Sequence, residues 1–378
     1  MKETDLFSDK TRVELRGATY GEHPFDYLDS SARKEAQDIR TLLQEAFDKY
    51  PKDEAIELKQ RIQARDVNLS QSASFELILH HLLIKQGFNV EVHPDVSGCS
   101  TSPDFLITSI DGQKTYIEAV KLSELGNERE TLEKQKNLLF DEINEKFHGV
   151  QAYLSISVLK QSKVNFPRKM LFSEITACLE KLNEFGTDKI EGKWESPKKD
   201  WVIEFKLCKC DKAPQKFISC IYPYMAQVVN VPKIINRAFQ KKASKYGQLL
   251  YPLVLAINVN SSIMDDIDEL EGLFGKERFV FTEDGVEFAG RQKNGAWVGP
   301  NGFRNKRVSG AWLFHNLTEW RLNKRHYLYI NPYTEKSLFE EFYSSLPTAI
   351  VNSEGRLIRN EGKKICDLLG INWNWLDN

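Results

Sequence analysis

Apolar and polar positions in the first 95 residues predict three helices and a strand. Charged residues alternate with apolar ones at helical spacing over residues 31–50 and again over 53–66. A third helix is predicted over residues 72–87, because serines precede its apolar run and a glycine ends it. The alternation of apolar and polar residues over 88–93 then predicts a strand, which a proline terminates.

Two further strands are predicted over residues 103–110 and 114–122, joined by the turn Asp111-Gly112-Gln113. A long charged helix over about 128–148 and a strand over 150–159 follow. The order is helix, three strands, helix and strand. Such short connections favour an antiparallel hairpin, followed by a crossover helix that returns a strand to the same sheet.

The second half changes character near residue 230. A basic amphipathic helix over 231–249, an apolar strand over 252–260 and a helix over 265–275 predict an α/β repeat. Turn signals between residues 280 and 335 then predict hairpins. We therefore predict an amino-terminal arm with helices (1–68), an α/β core (69–210) and a carboxyl-terminal α+β extension (211–378).

Composition restricts the class of protein. The 378 residues are 41% apolar and 28% charged, which is typical of a globular protein. The net charge is -2, so any nucleic-acid contact must come from a local basic patch. The sequence has no apolar run of membrane-spanning length and no apolar leader, and its six cysteines are scattered. These features predict a cytoplasmic protein with reduced thiols and no membrane partner.

Acidic residues of the predicted hairpin are candidates for a metal site. Residues of equal parity share one face of a strand, so Glu118 and Val120 point the same way and Lys121 points the other way. If residues 111–113 form the turn, Asp104 lies opposite Val120 and is a diagonal neighbour of Glu118, with Cα atoms about 7–8 Å apart. A metal ion could bridge the two carboxylates. A two-residue turn would place them on different faces.

The helix before the hairpin adds Glu76. Its neighbours at i+4 and i+7 are His80 and Leu83, so Glu76 lies on a partly apolar stripe that can face the sheet. The alternative is a helix residue exposed to water.

The helix with Glu76, the pair Pro103-Asp104, and the segment IEAVK from Ile117 to Lys121 together resemble the PD-(D/E)xK nuclease superfamily over about residues 70–160. The resemblance implies a restriction-endonuclease-like αβββαβ core with a mixed sheet. It also implies Mg²⁺ or Mn²⁺ bound by Asp104 and Glu118, with Glu76 as an auxiliary ligand. The implied function is that of a DNA endonuclease, in defence against foreign DNA.

The lysine of this motif is displaced. The family places a catalytic lysine two residues after the glutamate, where this chain has Val120, and Lys121 follows one residue later. A β-bulge could turn Lys121 towards the acids, or another lysine could replace it. The remaining alternative is a catalytically silent nuclease fold that binds nucleic acid or acts as a scaffold. A second match to the spacing, Glu204-Phe205-Lys206, lacks the preceding hairpin and is interpreted as a chance match.

Basic residues in the second half are candidates for nucleic-acid contacts. They form two clusters, with aromatic residues around the second: Lys241, Lys242 and Lys245, and then Arg304, Lys306 and Arg307. The alternative is a solvated face beside ordinary core aromatics. The expected partner is nucleic acid, DNA rather than RNA, and a homodimer or a protein partner stays open.

Overall fold

The protein is described by a computed structural model that covers residues 5–123, 127–162, 166–221, 230–261, 264–283, 285–352 and 356–377. It is a mixed α/β protein, and the chain folds into two compact units. The large unit comprises Met1–Arg16, His23–Glu124 and Asn230–Asn378, and the small unit comprises Gly17–Glu22 and Leu125–Val229. The bounds of these units differ from the predicted boundaries at 68/69 and 210/211, because the small unit is inserted into the sequence of the large one.

Ten α-helices lie within the described residues. They are α1 (Pro24–Ser30), α2 (Lys34–Asp48), α3 (Lys52–Ile62), α4 (Val67–Lys85), α5 (Asn127–Lys146), α6 (Arg168–Glu184), α7 (Val231–Lys242), α8 (Asp266–Phe274), α9 (Glu340–Tyr343) and α10 (Ile365–Leu369), and a 3₁₀ turn follows at Asn374–Asp377.

Sixteen strands lie within the same residues. They are β1 (Asn89–Val92), β2 (Phe105–Thr108), β3 (Lys114–Ser123), β4 (Ala152–Lys160), β5 (Lys189–Glu195), β6 (Val202–Lys209), β7 (Ile218–Ile221), β8 (Leu253–Asn260), β9 (Glu277–Thr282), β10 (Gly285–Arg291), β11 (Val298–Gly299), β12 (Gly302–Phe303), β13 (Val308–His315), β14 (His326–Ile330), β15 (Thr348–Val351) and β16 (Leu357–Asn360).

The large unit is built on a mixed eight-stranded sheet in the order β1-β2-β3-β8-β13-β14-β15-β16. The β1-β2-β3 meander is antiparallel, whereas β3, β8 and β13 run parallel to one another. Seven of the eight residues of β8 are buried, which is typical of a strand covered by other elements on both faces. The centre of the sheet is therefore at β8, with β3 and β13 on either side of it.

Helices cover this sheet on two sides. Ile117 and Val254 contribute to a large apolar core that includes buried residues of α2, α3, α4 and α10. The opposite face of β3 and β8 meets α7, which itself packs on α8. The two helices approach closely at Gly272, where a Cβ atom would lie 3.0 Å from the Ile235 side chain. Glu118 points towards the α7 side.

The small unit has its own four-stranded sheet, in the order β5-β6-β4-β7. Helices α5 and α6 supply Phe140, Ile143, Leu171 and Ile175 to its apolar core. The match Glu204-Phe205-Lys206 lies in β6 of this sheet, where the ammonium of Lys206 is 3.7 Å from the carboxylate of Glu191.

Three predicted elements differ from the structure. Strand β4 was predicted to join the sheet of β1 to β3, but it pairs with β6 and β7. The strand that pairs with β3 on the side away from β2 is β8. Helix α4 starts at Val67 because the Asp66 side chain accepts the Asn68 and Leu69 N–H groups and caps it. Helix α7 ends at Lys242, seven residues before the predicted end at 249.

Candidate functional site

The β2–β3 hairpin places Asp104 and Glu118 side by side. Phe105 pairs with Ile117 and Thr108 with Lys114, so the continued register sets Asp104 opposite Glu118. The turn lies one residue earlier than predicted, since the N–H of Ser109 donates to the carbonyl of Gln113, and Gly112 adopts a φ of 78° within it. The predicted opposition of Asp104 to Val120 was therefore wrong by two residues, which leaves the face unchanged.

Glu118 is fully buried, and both of its oxygens are engaged. The ammonium nitrogen of Lys242 lies 2.5 Å from Oε1, and that of Lys245 lies 3.5 Å from the same oxygen. The hydroxyl of Tyr246 donates to Oε2. An uncompensated carboxylate at this depth would be strongly destabilising, and these groups compensate the burial of Glu118. The same burial, together with the Glu118 charge, raises the pKa of Tyr246.

Asp104 is half-buried beside Glu118. Its Oδ2 accepts the N–H of Ala119 at 2.6 Å. Burial, followed by the charges of Glu118 and Glu76, raises the pKa of Asp104 to about 8. The neutral form of this carboxyl group is therefore favoured well above its ordinary pKa.

Glu76 is buried, in contrast to the exposed alternative, but its carboxylate is already bound. The Arg61 guanidinium donates to both oxygens, at 2.6 and 3.0 Å, and the Tyr50 hydroxyl donates to Oε1 at 2.8 Å. The charge of Glu76 contributes to the raised pKa of Asp104. Glu76 thus influences the hairpin acids electrostatically while Arg61 holds it in place.

Lys121 lies on the other face of β3 from Glu118. Its ammonium donates to Oε1 of Gln71 in α4. The pairing of β3 with β8 runs without a shift from Tyr116 to Ser123, so no bulge turns Lys121 towards the acids. The predicted catalytic position of Lys121 next to Asp104 and Glu118 is not formed in this arrangement.

Helix α7 and the turn after it supply the positive charge beside Glu118. The helix crosses the sheet on the Glu118 side and ends at Lys242, which is partly exposed but directs its ammonium inward. The chain then turns, with the N–H of Lys245 donating to the carbonyl of Lys242, and this turn brings Lys245 and Tyr246 to the same carboxylate. Lys241, in contrast, is exposed.

The second predicted basic cluster has a different environment. Arg304 binds the Gly295 carbonyl and Oδ1 of Asn236, which gives it a structural role. Arg307 is exposed and donates to the carbonyl of Gly247 at 2.8 Å. Lys306 is exposed as well. Within the described residues, none of the three forms a hydrogen bond or an ion pair with Glu118, whose partners are Lys242, Lys245 and Tyr246.

Within the described ranges, no group of three or more His, Cys, Asp or Glu side chains is arranged to hold a metal ion. Asp104 and Glu118 nevertheless offer two hard oxygen donors, and Mg²⁺ is commonly bound by one or two carboxylates together with water and substrate phosphate. A cation bound beside Asp104 would favour its ionised form and lower the pKa that burial and the neighbouring acids raise. The pair fits a divalent ion chemically, provided that Lys242 leaves Glu118.

Sequence reasoning missed the tyrosines and the arginine of this site. Tyr246 and Tyr50 are each hydrogen-bonded to a buried carboxylate, and Arg61 neutralises one of them. Local patterns carry no sign of these contacts, since Tyr246 lies 128 residues from Glu118. Lys242 and Lys245 were found as basic residues, but their contact with Glu118 was not predicted.

No protein-family model matches the chain, and no curated protein or solved structure is significantly similar to it. Among the helices in the described part of the chain, none is both long and apolar enough to cross a bilayer.

Proposed function

We propose that the protein is a metal-dependent nuclease that hydrolyses phosphodiester bonds in DNA, with Asp104 and Glu118 as metal ligands. The observation that carries this proposal is the contact of Lys242 and Lys245 with Glu118. An acid pair on a hairpin with a lysine beside it is the chemistry that metal-assisted phosphodiester cleavage needs. Here the lysine comes from a helix instead of the strand.

The element order supports a restriction-endonuclease-like core. Helix α4, strands β1 to β3, helix α7 and strand β8 follow one another as αβββαβ once the small unit is left out of the sequence. Strand β8 is parallel to β3 and adjacent to it, as a crossover through α7 requires. The small unit would then be an insertion between the third strand and the second core helix.

The residues of the site would have separate roles. A bound divalent ion would polarise the phosphoryl group and lower the pKa of a coordinated water. Asp104 and Glu118 would hold that ion, and the Glu76 carboxylate stays paired with Arg61. Lys242 and Lys245 would exchange their contact with Glu118 for a phosphate oxygen, which places positive charge where negative charge develops. Tyr246 keeps the Glu118 carboxylate oriented.

A row of cations on α7 supports a nucleic-acid partner. Lys233, Arg237 and Lys241 are exposed and recur every four residues, so they form one stripe with neighbours about 6 Å apart along the helix axis. None of them has a carboxylate partner among the described residues. The stripe leads towards Lys245 beside Glu118. A backbone of phosphates lying along it would reach the acid pair.

The test is cleavage of supercoiled and linear DNA with Mg²⁺ or Mn²⁺. We expect wild type to cut, and Asp104→Ala and Glu118→Ala to lose the activity. Glu204→Ala is the matched control, because Glu204 belongs to the second ExK spacing in β6 and should leave cleavage unchanged. Equal rates for all four proteins would refute the proposal. Activity of this kind would suit defence against foreign DNA, the role that the family resemblance suggests.

One observation favours a second function, nucleic-acid binding without cleavage. Lys242 and Tyr246 occupy both oxygens of Glu118, which leaves that carboxylate without a free position for metal. A catalytically silent nuclease fold would bind DNA in EDTA, and its affinity for DNA would fall steeply as the salt concentration rises. It would not cleave DNA with any metal ion. The cleavage assay and a binding assay in EDTA separate the two functions.

A further inference from the structure

A cleft of about 610 Å³ opens on the large unit beside the loop that follows Tyr246. Its lining includes Gln248, Tyr251, Phe303, Lys306, Arg307 and Lys336. This volume lies within the range of pockets that hold small organic ligands. The lining combines aromatic rings, amide groups and cations, which is a composition suited to a nucleotide.

An exposed aromatic ring forms one wall. Phe303 is 55% exposed, although a large apolar side chain is normally covered. One face of its ring stacks on Tyr333, with centroids 3.7 Å apart and an angle of 15° between the planes. Tyr333 therefore fixes the orientation of Phe303. The remaining surface of the ring is a platform on which a base can stack.

Cations dominate the charge of the cleft. Arg304, Lys306, Arg307 and Lys336 line it, against a single lining carboxylate, that of Glu335. Within the described part of the chain, none of the four forms an ion pair with a carboxylate. Arg307 and Lys336 are oriented by the carbonyls of Gly247 and Leu250, each at 2.8 Å. A phosphate group would supply the negative charge that this arrangement lacks.

The cleft adjoins the acid pair. Tyr251 lines it and contacts the ring of Tyr116, with centroids 5.6 Å apart. Tyr116 lies on the same face of β3 as Glu118 and two residues before it, a separation of about 7 Å along the strand. Gly247, another lining residue, directly follows Tyr246, which binds Glu118. A nucleotide in the cleft would be close to a phosphate held at Glu118.

We propose that this cleft binds an unpaired base and its adjoining phosphate, with the base stacked on Phe303 and the phosphate bound by Lys306 and Arg307. A base within an intact duplex cannot reach such a wall without leaving its stack. The substrate class is therefore a single strand or an unpaired strand end. This inference rests on the proposed nuclease function for its position next to a reacting phosphate, but the binding itself does not require cleavage.

The test measures binding by fluorescence anisotropy in EDTA, where no metal-dependent cutting occurs. The probes are labelled single strands of about twelve nucleotides, one of DNA and one of RNA, and a blunt DNA hairpin of matched composition whose loop is a linker without bases. We expect wild type to bind at least one of the single strands more tightly than the hairpin. Phe303→Ala should weaken that binding about tenfold and leave hairpin binding unchanged, because the lost contribution is stacking.

Three further variants sharpen the result. Phe303→Trp retains an aromatic face and should bind single strands like wild type, whereas Phe281→Ala removes an exposed phenylalanine from β9 and should have no effect. Lys306→Ala should lower the slope of log affinity against log salt by about one. Single-strand affinity of Phe303→Ala equal to that of wild type would overturn the proposal, as would equal losses on single strand and hairpin.

The outcomes separate the two proposals. Loss of single-strand binding in Phe303→Ala supports the cleft proposal even when wild type cuts no DNA, in which case only the nuclease function fails. Metal-dependent cutting with an unchanged Phe303→Ala affinity overturns the cleft proposal and leaves the nuclease function standing.

Discussion

The ammonium nitrogen of Lys242 lies 2.5 Å from Oε1 of Glu118, across 124 positions of sequence. Glu118 is completely buried in β3, beside the central strand β8, and Lys242 reaches it from the end of a helix on one face. This contact brings together the two features that the hairpin alone could not combine, a buried acid and a cation on the same side of the strand.

The identity of the functional lysine gives the most discriminating prediction. Lys242→Met should reduce metal-dependent DNA cleavage by about 100-fold or more, because it removes the charge nearest to the acid pair. Lys121→Met should cut at close to the wild-type rate, since the Lys121 ammonium contacts Gln71 on the other face. Initial rates of plasmid nicking measure both. The reverse order, with Lys121→Met inactive and Lys242→Met active, would return the role to the strand lysine.

The Tyr246 hydroxyl should contribute measurably to stability. Tyr246→Phe removes the hydroxyl that donates to Glu118 Oε2 and accepts from the Lys245 ammonium at 2.8 Å. A lost hydrogen bond to a buried charged group costs about 1–3 kcal/mol. Urea unfolding at neutral pH gives this value. Tyr116→Phe is the matched control, because Tyr116 is buried on the same face of β3 and its hydroxyl has no hydrogen-bond partner among the described residues. Equal losses in the two variants would contradict the assigned bond.

The acid pair should make stability depend on pH in metal-free protein. The pKa of Asp104 is raised from 3.8 to about 8 in the folded state, so the folded protein binds more protons than the unfolded chain between these values. The stabilising contribution of the protonated carboxyl is complete below about pH 4 and is lost as the pH rises through 8. Asp104→Asn cannot ionise. Its stability relative to wild type should therefore increase steadily from about pH 5 to pH 8.

Urea unfolding in EDTA at several pH values checks this trend. Asp111→Asn provides the control, since Asp111 is exposed in the turn of the same hairpin and its substitution should shift stability by the same small amount at every pH. A difference in the free energy of unfolding between Asp104→Asn and wild type that stays constant with pH would show that the Asp104 carboxyl is already ionised in the folded protein over this range.

Buried histidines in α4 should oppose folding in acid. Burial lowers the pKa of both His80 and His81 from 6.5 to about 4, so the unfolded chain takes up protons first as the pH falls. Stability should decline between about pH 6.5 and 4 as a result. His81→Leu should reduce this decline. The free energy of unfolding of the variant, relative to that of wild type, should therefore be larger at pH 5 than at pH 7.5. Urea unfolding at several pH values measures this. A difference in the free energy of unfolding between wild type and variant that does not change with pH would contradict this account.

Local sequence patterns were sufficient to predict the hairpin and its faces. Alternation in β3 placed Glu118 and Lys121 on opposite sides, and the structure has them there. The predicted turn was displaced by one residue, which changes the pairing register by two residues. Each side chain nevertheless stays on its predicted face, because successive side chains of a strand alternate between the two faces. The burial of Glu76 also follows from its position on a partly apolar helix stripe.

Long-range pairing could not be predicted in the same way. Nothing in the local pattern distinguishes β4 from β8 as the partner of β3, since both are apolar strands that follow a helix. The choice depends on whether the intervening segment folds as a unit of its own, which is a property of its packed core. The contacts of Lys242 and Tyr246 with Glu118 depend on that same choice.

The insertion of the small unit has a consequence for protein synthesis. Strand β3 emerges from the ribosome well before β8, its parallel neighbour, because the whole of Leu125–Val229 is translated between them. The partners of Glu118, which are Lys242, Lys245 and Tyr246, are therefore translated after the whole of the small unit. A nascent chain that has completed only the hairpin carries a charged strand without its neighbour, and domains commonly fold as units during translation. The acid pair and its cations thus become a single centre only after most of the polypeptide has been made.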